Sequence, residues 1–278
     1  MSAIISIGCA QITATPDSGR NLVEAELLIR EAAAARLDMV ALPEAFDFLA
    51  PGKQAIPAYA PPYEAHPALQ CMGTLAAELS IAILAGSVSA RLADGRIVNR
   101  SVMIGKDGQI HGYYDKIHLF DVDLPDEKAI RESDLYTAGG EIVTVQAVGT
   151  TIGMSICYDM RFPHLYRALA HAGARVITVP AAFSSFTGPL HWHALLRARA
   201  IETGCFVIAP AQCGPNHEGR VSYGHSMIID PWGRVLAEAG DEPGLVSAEI
   251  DLAEVDRFRA AIPSVFVERV PAGMEAAS

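Results

Sequence analysis

Short apolar runs alternate with helical stretches along most of the chain, and no other feature limits the fold as much. Ile4 to Gln11 reads as a strand. Asn21 to Leu37 reads as a helix, with Leu22, Ala25, Leu28, Ile29 and Ala32 on one stripe. Met39 to Leu42 is a second strand, Pro67 to Leu79 a helix and Ile81 to Ser87 a third strand. Hairpins are predicted around Lys106-Asp107-Gly108, within Ser101 to Tyr114, and at Ala147-Val148-Gly149. The apolar run Thr151 to Cys157 follows, then a helix from His164 to His171 that Gly173 stops. Val176 to Val179 is a strand, His191 to Glu202 a helix and Phe206 to Ala209 a strand, before a last hairpin at Asp230-Pro231-Trp232-Gly233. Helices alternating with buried strands, interrupted by hairpins, predict an α/β fold with mixed sheets covered by helices. We read residues 1–278 as one domain, with a core of about 4–251 and a C-terminal arm, 252–278. That arm carries a short helix from Leu252 to Arg259 and ends in loose residues.

Composition removes several function classes. A net charge of −11 argues against nucleic-acid binding, which needs clustered Lys and Arg. No apolar run reaches the length of a membrane span. The start, Met1-Ser2-Ala3-Ile4-Ile5-Ser6, lacks a basic region followed by an apolar signal core, so a cytoplasmic protein is expected. Cys9, Cys71, Cys157, Cys205 and Cys213 are scattered without Cys-x-x-Cys spacing, which predicts reduced thiols and no zinc site. His191 and His193 flank Trp192 on a helix and so point to different faces; no metal and no cofactor are expected.

Three polar residues stand at strand exits. Glu44 follows Val40-Ala41-Leu42-Pro43, Lys116 follows Gly112 to Tyr114, and Cys157 ends Thr151 to Ile156. In open α/β sheets such exits collect at one edge, where ligands bind. A carboxylate there takes the thiol proton and later activates water. An ammonium lowers the thiol pKa and holds an oxyanion, and the thiol forms an acyl-enzyme. Taken singly, each has a plainer reading: a core cysteine, a turn glutamate, a surface lysine. A Cys-His protease would need a histidine near Cys157, and nine histidines leave that reading open.

The wording around the three residues is more specific. Leu42-Pro43-Glu44, Asp115-Lys116-Ile117-His118-Leu119-Phe120 and Ile156-Cys157-Tyr158-Asp159-Met160-Arg161-Phe162-Pro163 resemble the three signatures of the nitrilase, or carbon-nitrogen hydrolase, superfamily. The resemblance runs from about Ile5 to Ile250. It implies a four-layer αββα sandwich, Glu44 as general base, Lys116 as oxyanion lysine and Cys157 as nucleophile, with the Tyr158 N–H as second oxyanion donor. Many members carry a further glutamate. Glu127, Glu132 and Glu141 are available, and Ile130-Arg131-Glu132-Ser133 looks most like the family segment.

Later segments resemble the Nit branch: Trp192 to Glu202, Ala211-Gln212-Cys213-Gly214 and Ser222 to Gly233. That branch implies a small-molecule amide as substrate: deaminated glutathione, whose amidases the Ala211-Gln212-Cys213-Gly214 run and the short loop to Ser222 resemble more closely, with α-ketoglutaramate, for an omega-amidase, as the alternative. The wider superfamily adds carbamoyl amides, aliphatic amides and nitriles. Both branch substrates place a carboxylate near the scissile amide. A guanidinium matches a carboxylate, so Arg161 is the expected clamp, with Phe183 and Thr187 completing the pocket. The plainer role for Arg161 is an ion pair with Asp159 or with an acid at a helix start. The family also implies a homodimer or larger homo-oligomer. A non-catalytic scaffold on the same fold would be expected to lose Glu44, Lys116 or Cys157, and this chain keeps all three.

Overall fold

A computed structural model describes residues 4–52, 54–123, 129–217 and 219–267. The first half of the chain builds one sheet. β1 (Ile4–Gln11), β2 (Met39–Ala41) and β3 (Ala82–Arg91) run parallel, joined by α1 (Ser18–Ala34) and then by α2 (Ala55–Tyr59) and α3 (Pro67–Leu79). β4 (Ile97–Ile104) and β5 (Ile110–Asp115) extend the sheet as antiparallel hairpins. A two-stranded ribbon of β6 (Asp121–Val122) and β7 (Ile130–Arg131) follows.

The second half repeats the plan. β8 (Thr144–Ala147) turns into β9 (Thr150–Met154). β9 runs parallel to β10 (Val176–Thr178) and β11 (Phe206–Ala209), across α4 (Pro163–His171) and α5 (Gly188–Thr203). The ribbon β12 (Cys213–His217) and β13 (Arg220–Tyr223) precedes β14 (Met227–Ile229) and β15 (Val235–Glu238). β16 (Gly244–Asp251) then returns to pair antiparallel with the whole of β1, and α6 (Ala253–Ala261) follows. The two six-stranded orders are β16-β1-β2-β3-β4-β5 and β15-β14-β11-β10-β9-β8.

Period-two burial explains the layers. Ile7, Cys9, Met39, Ala41, Ala82 and Leu84 share a core with Val145, Ile152 and Met154 of the other sheet. Their alternates Val40, Ile83 and Ala85 pack instead on Ala25, Ile29 and Ala32 of α1 and on Leu69, Met72 and Ala76 of α3. Leu165, Leu169, Trp192 and Leu196 cover the outer face of the second sheet. The result is the αββα sandwich. Among the described residues, no helix is long and apolar enough to cross a membrane.

Several boundaries differ from expectation for local reasons. α1 starts at Ser18, not Asn21, because the Asp17 side chain accepts from the Arg20 N–H and caps it. β16 and the β12–β13 ribbon were not expected at all. The arm begins as a docked helix: Val255 and Phe258 of α6 are buried, and Phe258 stacks edge-on against Trp232. The expectation of loose terminal residues concerns 268–278, which lie outside the described residues.

Candidate active site

Two close backbone approaches set the stage. A Cβ on Gly86 would fall 1.9 Å from the Leu42 carbonyl oxygen, so only glycine lets the Leu42-Pro43-Glu44 turn lie against β3. The strand bulges there, between Ala85 and Val88. A Cβ on Gly139 would likewise fall 2.2 Å from the Asp115 carbonyl oxygen, and the Gly139 N–H bonds the Lys116 carbonyl at 2.9 Å. Gln212 holds the Glu44 backbone from the other sheet. Its Nε2 donates to the Glu44 carbonyl at 3.0 Å while its Oε1 accepts from the Ala14 N–H at 2.8 Å.

The side chains converge from both sheets. Lys116 Nζ lies 2.9 Å from Glu44 Oε1 and 2.8 and 3.1 Å from the two oxygens of Glu132. Asn99 Nδ2, on β4, donates to Glu44 Oε1 at 3.0 Å and to Glu132 Oε1 at 3.1 Å. The Ala182 N–H reaches Glu44 Oε2 at 2.9 Å, and the Phe120 N–H reaches Glu132 Oε2 at 2.6 Å. The Cys157 thiol lies close enough to the Glu44 carboxylate for each to shift the other's pKa. Glu44, Lys116, Cys157 and Asn99 are all buried. Of the other two acidic candidates, Glu141 is exposed and Glu127 lies outside the described residues.

β9 ends at Met154, and Cys157 opens a 3₁₀ turn, Cys157–Arg161, with φ of +45°. A non-glycine residue in this left-handed region costs about 1–3 kcal/mol. The cost is met by local bonds. The Cys157 N–H donates to the Pro180 carbonyl at 2.9 Å, and the Ile156 N–H donates to Asp159 Oδ2 at 2.9 Å. Asp159, fully buried, also accepts from the Tyr114 hydroxyl at 2.8 Å and the His118 N–H at 3.0 Å. The His118 ring stacks on Phe162 at 3.6 Å.

The electrostatics correct one expectation. Lys116 does not leave Cys157 with a lowered pKa. Burial, then the Glu44 charge, raise the thiol well above its ordinary value, and the lysine only partly offsets them. Burial pushes Glu44 up too, but Lys116, the thiol and the Ala182 N–H outweigh it and hold the carboxyl below its ordinary value. Burial disfavours the Lys116 charge, yet Glu132 and Glu44 raise its pKa well above the usual lysine range. The resting state is therefore a thiol beside a carboxylate and an ammonium. Nearby, burial pushes Asp47 up to about 7, and the Tyr59 hydroxyl bonds it at 2.7 Å.

Arg161 is not paired with Asp159. Both its terminal nitrogens lie 3.3 Å from His191 Nδ1, and its guanidinium sits 5.4 Å from the Phe183 ring and 5.8 Å from the Tyr158 ring. Thr187 is buried one turn before His191, whose N–H bonds its carbonyl at 2.9 Å. His191 and His193 do face apart: one meets Arg161, the other Glu238. Asn99, Ala182, Asp159, His118 and Gln212 escaped the sequence reading as site residues. Asn99 is a polar residue in an otherwise apolar stretch, His118 and Asp159 sit inside the quoted signatures, and Ala182, which acts through its backbone N–H, carries no side-chain signal.

Residues 6–260 match the carbon-nitrogen hydrolase family. The chain belongs to that family. Deaminated glutathione amidase of Bos taurus is 42% identical to this carbon-nitrogen hydrolase over 270 residues, covering 95% of this chain and 82% of the relative. The structure of Nit3 from Saccharomyces cerevisiae, a member of branch 10 of the nitrilase superfamily, matches with a TM-score of 0.85 and 30% identity. It covers 94% of this chain and 95% of that one. An amidase from Nesterenkonia sp. AN1, solved after Michael addition of acrylamide at its active-site cysteine, matches with a TM-score of 0.78 and 25% identity. That match covers 95% of this chain and 100% of the neighbour. This carbon-nitrogen hydrolase is thus an amidohydrolase with the nitrilase fold.

Proposed function

We propose that the enzyme hydrolyses the amide of an α-keto acid, deaminated glutathione first among them, through a thioester on Cys157. The observation that carries this is the buried Cys157 thiol beside a Glu44 carboxylate that is itself paired with Lys116. As Sγ attacks the amide carbonyl, its proton passes to Glu44 and a carbon–sulfur bond forms. Lys116 Nζ and the Tyr158 N–H hold the resulting oxyanion. Collapse breaks the carbon–nitrogen bond, and Glu44 returns the proton to the departing nitrogen. Glu44 then takes a proton from water, whose oxygen attacks the thioester, and the carboxylic acid leaves as the thiol is re-formed. In this scheme Glu132 and Asn99 position Lys116 and Glu44. Arg161, beside Tyr158 and Phe183 and near Thr187, takes the substrate carboxylate.

Relatives 42% identical that carry the name deaminated glutathione amidase support the substrate choice. The decisive measurement is release of α-ketoglutarate from deaminated glutathione and from α-ketoglutaramate in parallel, with Cys157→Ala as control. Faster release from deaminated glutathione, abolished in the variant, is expected. Faster release from α-ketoglutaramate would make the enzyme an omega-amidase. Release from neither would overturn the keto-acid reading.

We further infer a cytoplasmic homodimer or larger assembly. The unpaired cysteines support the compartment, and exposed Leu190, Trp232, Leu236 and Phe266 support the assembly. Light scattering that gives a monomer mass, or recovery of the enzyme outside the cytoplasm, would overturn the respective inference.

A further inference from the structure

A second cluster of ligating side chains lies where α5, the turn after β13 and the end of β15 meet. His193 Nε2 and His225 Nδ1 each stand 2.8 Å from the same oxygen, Oε1 of Glu238. One ligand atom from each of the three residues lies within 4.8 Å of the other two. The imidazole rings are 5.6 Å apart and inclined at 64°, so they meet at an edge and do not stack face to face. The other nitrogen of His225, Nε2, lies 3.1 Å from Oδ1 of Asp241.

His225 faces a carboxylate at each ring nitrogen, Glu238 at Nδ1 and Asp241 at Nε2. A metal dication on the Glu238 side would take the Nδ1 lone pair and leave the Nε2–H for Asp241. A carboxylate behind a ligating histidine is the usual way proteins fix its tautomer and raise its basicity.

The ring is also held ready. The Trp192 indole N–H donates to the His225 carbonyl at 2.8 Å, the His225 N–H reaches the Gly240 carbonyl at 3.2 Å, and the Tyr223 ring stacks on His225 at 4.4 Å. All three ligating side chains retain solvent access, His193 at 36%, His225 at 23% and Glu238 at 33% exposure, so an ion can enter.

We propose that His193, His225 and Glu238 form a binding site for a zinc-like divalent transition metal, with Asp241 as the outer partner of His225. Two imidazoles and one carboxylate suit zinc, nickel or copper over magnesium or calcium, which prefer oxygen ligands throughout. Three protein ligands leave a further position for water. The bound ion clips α5 to β15. His191, two residues before His193, contacts Arg161, so the clip steadies the helix that backs the proposed carboxylate clamp. The role is structural, since the described ligands bond one another and Asp241 and not Glu44, Lys116 or Cys157.

The test uses the full-length chain, stripped with a chelator and titrated with cobalt(II) and, by competition, with zinc. One ion per chain is expected, with cobalt d–d bands and no thiolate-to-metal charge transfer. His193→Ala and Glu238→Gln should each weaken binding by at least about 10-fold, and Asp241→Asn by about 10-fold, as loss of an outer partner does. Zinc should raise the unfolding temperature of the wild type and not that of Glu238→Gln. Unfolding of each metal-free variant checks that it folds; if His193→Ala does not, Asp241→Asn carries the test. Unchanged affinity in these variants, a thiolate charge-transfer band, or no stoichiometric binding would overturn the proposal.

Discussion

Asp159 Oδ1 stands 2.7 Å from His118 Nδ1, and this bond ties the turn that presents Cys157 to the segment that follows Lys116. The same buried carboxylate accepts from three further donors, so one side chain that touches neither Sγ nor Nζ sets the spacing between them. Asp159→Asn puts an amide N–H against groups that donate. It should cost about 3 kcal/mol of stability, the scale of hydrogen bonds to a buried charge. Urea unfolding reads that loss, and kcat should fall together with it.

Glu132 and Asn99 act through Lys116 and Glu44. Glu132→Gln should lower kcat by about 100-fold or more while leaving KM nearly unchanged, because what it shifts is the ammonium proposed to hold the oxyanion. Asn99→Ala should cost less, since Glu44 keeps its bonds to Lys116 and to the Ala182 N–H. Steady-state kinetics on one keto-acid amide checks both. Equal losses in kcat and in substrate binding would argue for a collapsed pocket.

The protonated thiol has a pH signature. Alkylation of Cys157 by iodoacetamide should show no inflection near about pH 8.5, where an ordinary cysteine titrates. An inflection there would mean that the thiol is not shielded. The Glu44 pKa is depressed below 4.5, so its stabilising contribution is present above that value and is lost as pH falls through the folded pKa. Activity should hold as pH falls towards 4.5, because the base stays ionised.

Asp47 runs the other way. Its folded pKa, about 7, lies above the ordinary 3.8, so between those values the folded state binds the extra proton and stability falls as pH rises. Asp47→Asn keeps an acceptor for the Tyr59 hydroxyl and removes the charge. It should be more stable than the wild type above pH 7, with the difference vanishing towards pH 4, as thermal melts across that range would show.

Arg161→Ala tests the carboxylate clamp. KM for keto-acid amides should rise at least about 10-fold, the scale of a lost charge-assisted hydrogen bond, while neutral amides are barely affected. Equal losses on both would place Arg161 in the scaffold.

Helix α3 and strand β11 were legible to the residue, because apolar spacing and a leading proline or a short β-branched run mark them without help from distant parts of the chain. β4 was read only from Ser101, since Asn99-Arg100-Ser101 breaks the apolar pattern. Two of those buried polar residues find partners: Asn99 meets two carboxylates, and Arg100 meets Asp115 at 2.7 and 2.8 Å. β16 was missed because it covers an edge and only Ile250 along it is fully buried. At the site, the positions of Glu44, Lys116 and Cys157 could be read from local wording. The protonation of the thiol could not, because it depends on how deeply three distant segments bury one another.

Glu44, Asn99 and Lys116 hang from one sheet, and Cys157 and the Ala182 N–H hang from the other, with Glu44 and Ala182 138 residues apart in the chain. Contacts so distant in sequence close late in folding. A nascent chain with only one sheet formed keeps the Cys157 thiol away from Glu44. Under the proposed mechanism, chemical competence is then gained in the same step that completes assembly.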